Sequence, residues 1–172
     1  GATIANLAGG VFDVQSDATL AYIGFGNGIT FANTGLFKKT AGSGVFTFNA
    51  GTFDNPGTVS VRSGTFALNA SGTSTGGRFE VDAGSTLSFG ANYNFDGATL
   101  AGPGQTTIAS SALFFNGATT TLSGWLQLAK NSALLGASTL EVTGKLDWIG
   151  GAMAQTGLTK IAVGGELLLF GA

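Results

Sequence analysis

Apolar and polar residues alternate along short stretches of this chain, and the stretches recur at a fixed spacing. Two of them, Val45-Phe46-Thr47-Phe48-Asn49-Ala50-Gly51 and Thr65-Phe66-Ala67-Leu68-Asn69-Ala70-Ser71, show the recurring unit. Alternation with a period of two is typical of half-buried β-strands, and these runs are too short for helices. Glycine marks the same interval, at Gly24, Gly44, Gly64, Gly84, Gly104, Gly124, Gly144 and Gly164. An internal repeat with a period of about 20 residues predicts a solenoid.

Corner residues divide each repeat into three parts. Asparagine and glycine, which tolerate positive φ, recur every six or seven positions, as in Asn49-Ala50-Gly51, Asp54-Asn55-Pro56-Gly57 and Arg62-Ser63-Gly64. Three strands and three corners in about 20 residues make one triangular coil, and stacked coils place equivalent strands in parallel at roughly 4.8 Å. The sequence therefore predicts an all-β parallel β-helix of about eight coils.

The repeat runs through the whole chain without a compositional break, so residues 1–172 are predicted to form a single β-solenoid array. The chain begins at Gly1 and stops within a repeat, because Glu166-Leu167-Leu168-Leu169-Phe170 resembles Lys145-Leu146-Asp147-Trp148-Ile149. We therefore expect it to be a segment of a longer polypeptide. The pattern does not indicate what stacks on its end coils.

Stacking at an offset of one repeat predicts which side chains meet in the interior. The expected inward pairs are Phe46 with Phe66, Phe48 with Leu68, Val59 with Phe79, Val61 with Val81, Leu126 with Leu146, and Leu128 with Trp148. Asn49 and Asn69 share another column, in which stacked amides can hydrogen-bond from coil to coil. Arg62 and Asp82 share an outward column and are expected to form an exposed ion pair.

The composition is that of a folded protein with few charges. Hydrophobic residues make up 44% of the 172 residues and charged residues only 9%, with a formal net charge of −2. Solubility therefore depends on burying the apolar residues. The seven basic residues are scattered and form no stripe that could follow a phosphate backbone, so no nucleic-acid partner is expected. No apolar run approaches the roughly 18 residues needed to span a bilayer, so no transmembrane segment is expected.

The residue types that most often carry chemistry are missing. There is no histidine and no cysteine, which removes the commonest general base, the commonest metal ligand and every thiolate site. We therefore predict no catalytic residue, metal site or cofactor. Gly72-Thr73-Ser74-Thr75-Gly76 matches the string of a nucleophile elbow but has no histidine partner, and we interpret it as a corner. We interpret Gly24-Phe25-Gly26-Asn27-Gly28 as a turn, since no helix pattern follows it.

Two carboxylates suggest the strongest enzymatic alternative. Glu80 and Asp82 lie two apart on one strand, a spacing at which carboxylates can divide acid and base roles in a glycosidase. One repeat away on either side their neighbours would be Ser60, Arg62, Leu100 and Gly102, a sparse surface that favours a salt bridge.

Threonines and aromatic residues offer two further surface functions, and we expect neither. An ice-binding ladder would need regular threonine columns, yet Thr121 would lie beside Ala101 and Glu141. Aromatic side chains could stack on sugars, but a coil with so few strands needs most of them inside. We expect the following in the core: Tyr93, Phe95, Phe114, Phe115, Trp125 and Trp148.

Several longer stretches of the sequence resemble the repeats of a known group of proteins. They are Phe31-Ala32-Asn33-Thr34-Gly35-Leu36-Phe37-Lys38-Lys39-Thr40-Ala41-Gly42, the stretch from Phe53-Asp54-Asn55-Pro56-Gly57 to Thr65-Phe66, and Val81-Asp82-Ala83-Gly84-Ser85-Thr86-Leu87-Ser88-Phe89. They resemble the β-helical regions of bacterial exported surface proteins, namely autotransporter passengers and filamentous-haemagglutinin-like adhesins. The resemblance implies a right-handed β-helix, a location outside the cell or on its surface, and a stalk or adhesive role that can involve host or cell-surface glycans. It transfers no binding residue, because adhesive specificity in these families resides in variable loops and no coil here carries a long insertion.

Three functional hypotheses follow. The first, which the sequence favours, is a structural or adhesive module without catalytic activity, a rigid stalk or fibre whose partners are neighbouring coils of one long chain. The second is a carbohydrate-active or sugar-binding β-helix that uses the surface around Glu80 and Asp82. The third is a subunit that stacks head to tail on other copies into a filament, because open ends expose strand edges.

Overall fold

In a computed structural model, which describes residues 1–22, 24 and 28–170, the chain forms 24 short β-strands joined by corners. Successive strands go to three faces in turn, and strands of one face pair in parallel, so the fold is a parallel β-solenoid of eight coils. This confirms the predicted fold class, coil size and coil count. Right-handedness stays a prediction. The predicted turn at Gly24 to Gly28 includes residues 25–27, which lie outside the described residues.

Within the described part of the chain, each face contains eight strands. The first face consists of β1 (Ala2–Asn6), β4 (Ile29–Asn33), β7 (Thr52–Asp54), β10 (Gly72–Thr75), β13 (Tyr93–Asp96), β16 (Ala112–Phe115), β19 (Ala133–Gly136) and β22 (Ala152–Met153). The second consists of β2 (Val11–Val14), β5 (Leu36–Lys39), β8 (Thr58–Val61), β11 (Arg78–Val81), β14 (Thr99–Ala101), β17 (Thr120–Leu122), β20 (Thr139–Val142) and β23 (Leu158–Ile161). The third consists of β3 (Thr19–Ala21), β6 (Val45–Asn49), β9 (Thr65–Leu68), β12 (Thr86–Phe89), β15 (Gln105–Ile108), β18 (Trp125–Leu128), β21 (Lys145–Trp148) and β24 (Glu166–Leu169). Coil 1 therefore comprises β1 to β3, and coil 8 comprises β22 to β24.

The first face is continuous although its ladder is irregular at one point. Regular pairing joins β1, β4 and β7 in one sheet and β10 to β22 in another. Between them, the Phe53 amide donates to the Ser71 carbonyl at 2.9 Å and the Asn55 amide donates to the Thr73 carbonyl at 2.9 Å. The Thr73 amide donates to a side chain, Asp54 Oδ1, at 3.0 Å. The carboxylate thus satisfies a backbone donor where the ladder is interrupted.

The offset, meaning the number of residues that separates paired positions in neighbouring coils, varies along the chain. Phe46 pairs with Phe66 at the regular offset, whereas Thr99 pairs with Thr121 at a slightly longer one. In coil 1 the offset is largest, since Ile4 pairs with Phe31. The expectation that no coil carries a long insertion is therefore wrong for coil 1. Because corners face solvent, they absorb these insertions without disturbing the strands.

The interior is one continuous apolar cluster that extends from Val14 to Leu146. In the first coils it is aromatic, with Phe31 stacked on Phe53 at a ring-centroid distance of 5.1 Å and Phe37 on Phe66 at 5.0 Å. Offset-stacked and edge-to-face rings add to the stabilisation from burial. From coil 6 onward leucine and valine replace most of the aromatic rings.

The structure places all six expected inward pairs in register. Phe46 lies beside Phe66, Phe48 beside Leu68, Val59 beside Phe79, Val61 beside Val81, Leu126 beside Leu146, and Leu128 beside Trp148. Eleven of these twelve side chains are buried, and Trp148 is only partly buried.

The hydrogen-bonded asparagine ladder lies on the first face. Asn6 Nδ2 donates to Asn33 Oδ1 at 2.7 Å, and Asn33 Nδ2 donates to Asn55 Oδ1 at 2.6 Å, with all three side chains buried. Asn49 and Asn69, where a ladder was predicted, are exposed at the end of the third face. Water competes for amides at such a position, whereas the buried amides have only each other and nearby carbonyls as partners.

A buried lysine interrupts one inward column. Lys39 lies between Val14 and Val61 in register and is fully buried. Its Nζ donates to Asp17 Oδ1 at 3.0 Å and to the carbonyls of Ala41 and Gly42, each at 2.8 Å. The ammonium group therefore reaches the corner beyond β5, where three oxygens compensate for its lost hydration.

The inward columns predict a difference between two neighbouring positions of β9. Phe66→Asp buries an unpaired carboxylate among Phe37, Phe46 and Phe53, and we expect it to lower the free energy of unfolding by roughly 4 kcal/mol or more. Thr65→Asp, whose side chain points outward, should change it by about 0.5 kcal/mol. Urea denaturation followed by circular dichroism measures both. Equal losses for the two variants would show that the inward assignment is wrong.

The Asp17–Lys39 pair predicts a pH-dependent stability. Its hydrogen bond with Lys39, and then that with the Gly44 amide, lowers the pKa of Asp17. Ionised Asp17 therefore stabilises the fold above the unfolded-state pKa of about 3.9, and the contribution disappears as the pH falls through the lowered folded-state pKa. We expect Asp17→Asn to melt at a lower temperature than the unmodified chain at pH 7, with the difference vanishing in acid. A difference that stayed constant from pH 7 to pH 2.5 would contradict this assignment.

Candidate functional site

The two carboxylates of the enzymatic alternative do not form a shared site. Glu80 lies on the outward side of β11, where its carboxylate is about half exposed and pairs with Arg78 at 3.4 Å. Its neighbours in register are Ser60 and Ala101. Asp82 lies beyond the end of β11 in an exposed turn that the Ser85 amide closes by donating to the Asp82 carbonyl at 2.9 Å. Glu80 is thus held by an ion pair within its own strand.

The expected ion pair between Arg62 and Asp82 does not form among the described residues. Arg62 Nε instead donates to Ser60 Oγ at 3.2 Å, within its own strand and corner. The expected neighbour of Glu80 was also wrong: Ala101 lies beside it in place of Leu100, because the offset between β11 and β14 is one position longer than the regular one. The same drift places Thr99 beside Thr121.

The serine of the elbow-like string is part of the scaffold. Residues Gly72–Thr75 form strand β10, so their interpretation as a corner is wrong. Ser74 is fully buried, and its hydroxyl donates to the Asn55 carbonyl at 2.6 Å. The residue lies where the asparagine ladder of the first face ends, and it satisfies a backbone acceptor there.

Two aromatic side chains expected in the core lie on outward faces. Tyr93, Phe95 and Phe115 are buried, but Phe114 and Trp125 are only partly covered. Phe114 alternates with the buried Phe115 on β16. An alternating strand can bury only every second residue, so a run of adjacent aromatic residues must present one of them outward.

Trp125 belongs to a polar cluster on the third face, together with Lys145 and Asp147. Trp125 Nε1 donates to Asp147 Oδ2 at 2.8 Å, and Lys145 Nζ donates to the same oxygen at 3.0 Å. The ammonium group also lies 4.8 Å from the centroid of the Trp125 ring. The Asp147 side chain is only 5% exposed, and its Oδ1 has no hydrogen-bond partner among the described residues.

This cluster joins coil 6 to coil 7 on the third face. Charge-assisted hydrogen bonds and a cation–π contact are strengthened where water is excluded, as it is around Asp147. The repeat spacing could have revealed this cluster, because Trp125 and Lys145 are one regular repeat apart in the sequence and pair in register. Trp125 was instead expected in the core because aromatic side chains are usually buried, so the cluster was not predicted.

Two hollows lie among the last coils of the described chain. A cavity of about 100 Å³ lies near the last coils, lined in part by Leu134, Leu140, Met153 and Leu158. A second hollow of about 250 Å³ lies beside Trp148 and Phe170. No charged side chain of the described residues lines either of them. The first hollow extends from Phe115 on coil 6 to Thr159 on coil 8, and the second is lined by residues of coils 7 and 8.

Comparison of the chain with family models, curated proteins and solved structures finds no match. None of the described residues forms a helix long and apolar enough to span a membrane. Within the same residues, no group of three or more aspartate or glutamate side chains comes together as a metal site.

The cluster on the third face predicts a coupled effect on stability. Trp125→Phe removes one donor from the buried Asp147 carboxylate and should lower the free energy of unfolding by about 1–2 kcal/mol. In an Asp147→Leu background the same substitution should have a much smaller effect, since the acceptor is gone. Denaturant unfolding of the four proteins gives the coupling energy. Equal losses in both backgrounds would show that the indole–carboxylate bond contributes nothing.

Proposed function

We propose that the chain is a structural module, a rigid β-solenoid segment of an extracellular stalk, adhesin or fibre, whose role is to hold attached parts at a fixed distance. The observation that carries this proposal is the continuity of the interior from coil 1 to coil 8. Every coil packs on the next through inward side chains and parallel backbone pairing. Bending the rod would have to open several of these contacts at once.

The corners support the same role. From β4 onward they contain two to five residues, so the described surface there carries no long loop. Outward charges are used in short-range pairs, such as Asp13 with Lys38 at 3.2 Å and Glu141 with Lys160 at 2.7 Å. Both pairs join neighbouring coils and so contribute to the stacking.

A bacterial cell-surface or extracellular location is part of the proposal and rests on the resemblance to β-helical surface proteins. The cysteine-free composition is compatible with it. The alternative of a carbohydrate-active site at Glu80 and Asp82 has less support, because Glu80 is paired with Arg78 and Asp82 lies in a separate turn.

The test of the rod is a distance measured between its ends. Cysteine can be introduced at Ser16 and Val163, both exposed and both in corners between the second and third faces, and the chain has no other cysteine to compete for the label. We expect spin labels there to lie about 35 Å apart, seven steps of roughly 4.8 Å, with a narrow distance distribution in pulsed electron paramagnetic resonance. A broad distribution would contradict a rigid spacer.

A whole-coil deletion provides the matched control. Removing residues 112–132 brings Ala133 into the register position of Ala112 and should shorten the label distance by about 5 Å while the β-sheet signal is kept. Removing residues 112–122 places third-face strands on the first face and should abolish folding. If both deletions behaved alike, coils would not be the units that set the length.

A further inference from the structure

Several interactions that run along the interior stop at the boundary between coil 3 and coil 4. The asparagine ladder ends there: Asn33 Nδ2 donates to Asn55 Oδ1, but the next position of the column holds Ser74, whose hydroxyl donates to the Asn55 backbone carbonyl. Asn55 Nδ2 is buried and has no hydrogen-bond partner among the described residues. The side-chain ladder that joins coils 1 to 3 therefore does not continue into coil 4.

The aromatic contacts of the core also divide at this boundary. One group of ring contacts links coils 1 to 3, and a second group links coils 4 to 6. Where the two groups meet, each ring faces an aliphatic side chain in register: Phe66 lies beside Leu87, Phe79 beside Val59, and Phe89 beside Leu68. The additional stabilisation from ring-on-ring packing therefore acts within each group and not at these three positions between them.

On the first face, one backbone hydrogen bond of the ladder is replaced at the same boundary. Regular parallel pairing of Asp54 with Thr73 needs two bonds, one from the Asn55 amide to the Thr73 carbonyl and one from the Thr73 amide to the Phe53 carbonyl. The first is present at 2.9 Å. The Thr73 amide instead donates to Asp54 Oδ1 at 3.0 Å, and the Phe53 carbonyl accepts from the Tyr93 hydroxyl at 2.9 Å. The regular sheet is interrupted here because both groups of the second bond have other partners.

Tyr93 reaches Phe53 across an intervening coil. Phe53, Gly72 and Tyr93 occupy one inward column on coils 3, 4 and 5. A Cβ added at Gly72 would collide with the Phe53 carbonyl oxygen and lie 3.0 Å from Tyr93 Cε2, so the phenol ring fills the space that a side chain on coil 4 would take. Burial, and then the charge of Asp54, raises the pKa of Tyr93 well above its usual range. The hydroxyl therefore stays protonated and donates at physiological pH.

The second and third faces pair without interruption across the same boundary. Strand β11 pairs with β8, and β12 pairs with β9, over four residues each. At the corners, the Arg78 amide donates to the Gly57 carbonyl and the Gly90 amide donates to the Leu68 carbonyl, each at 2.9 Å. Two intact ladders beside one interrupted ladder allow the boundary to open on the first face while the other two faces stay paired.

We propose that the boundary between coils 3 and 4 is a hinge that opens on the first face, and that the Tyr93 hydroxyl is the latch that keeps it closed. In the closed state the hydroxyl ties coil 5 to coil 3 across the interrupted ladder, so the unmodified rod stays straight. Opening the hinge breaks this bond and bends the rod away from the first face. The inference goes beyond the proposed spacer, because it assigns the place at which the rod bends.

Hydrogen exchange of single backbone amides, followed by nuclear magnetic resonance at increasing urea concentrations, tests the hinge and the latch. In the unmodified chain, the amides of Phe53 and Asn55, which donate across the first face of the boundary, should exchange faster and with a weaker urea dependence than those of Arg78 and Gly90. Tyr93→Phe removes only the hydroxyl and should accelerate exchange at Phe53 and Asn55 about tenfold.

Ser132→Ala is the matched control. It removes a buried hydroxyl that donates to the Ile108 carbonyl at 2.9 Å, in later coils where the first-face ladder is regular. This bond stays intact when the hinge opens, so the control should leave the exchange rates of Phe53 and Asn55 unchanged even though it lowers the stability of the whole fold.

Each result of these experiments supports or overturns the proposal. If Phe53 and Asn55 exchange together with Arg78 and Gly90, with the same urea dependence, the boundary opens as a whole and there is no hinge on one face. Unchanged or slower exchange at Phe53 and Asn55 in Tyr93→Phe would show that the ladder holds without the hydroxyl, and the latch would be refuted. Equal acceleration by Ser132→Ala would show that these amides report only overall stability. A narrow end-to-end label distance alongside any of these results leaves the rod itself intact, so the two proposals fail separately.

Discussion

The whole structure depends on one constraint, the parallel pairing of each strand with its equivalent one coil away. This pairing fixes the spacing between coils at roughly 4.8 Å, which is also a contact distance for side chains. A single coil is too thin to bury a side chain by itself, so an inward residue such as Phe53 depends on residues of the neighbouring coil, among them Phe31 and Phe37. Backbone hydrogen bonds and apolar packing therefore form together or not at all.

The same constraint explains several of the glycines that recur with the repeat. At a corner two backbones approach so closely that a side chain would meet a carbonyl of the coil below. A Cβ added at Gly144 would lie 2.2 Å from the Gly124 carbonyl oxygen, and one added at Gly64 would lie 2.4 Å from that of Gly44. Gly64 also has a φ of 62°, in the region that glycine adopts at little cost. Gly104 and Gly124 meet backbone atoms in the same way, whereas Gly84 and Gly164 have nothing within 4 Å of an added Cβ and are instead explained by their positive φ of 79° and 85°.

Sequence reasoning predicted the architecture correctly wherever the repeat is regular. The same offset holds between Phe46 and Phe66 and between Leu126 and Leu146, so those columns could be assigned directly. It could not locate the asparagine ladder, because the offset from Asn6 to Asn33 is longer and differs again from that between Asn33 and Asn55. The placement of Trp125 was also wrong. Alternation indicates which residues share a side of a strand, but the assignment of the Trp125 indole to the core rested on hydrophobicity alone. Packing determines where extra residues are accommodated and which side of a strand faces the core, and a periodic sequence pattern carries no information about packing.

The inward side chains of a solenoid are buried by the coils on either side of them. The first and last coils have a neighbour on one side only, so their inward side chains are less covered. In the middle coils every inward column has a neighbour above and below. At coils 1 and 8 each strand pairs on one side only, and inward side chains such as Ile161 and Leu169 are exposed there. Burial in this fold is therefore a property of neighbouring coils and not of any single coil.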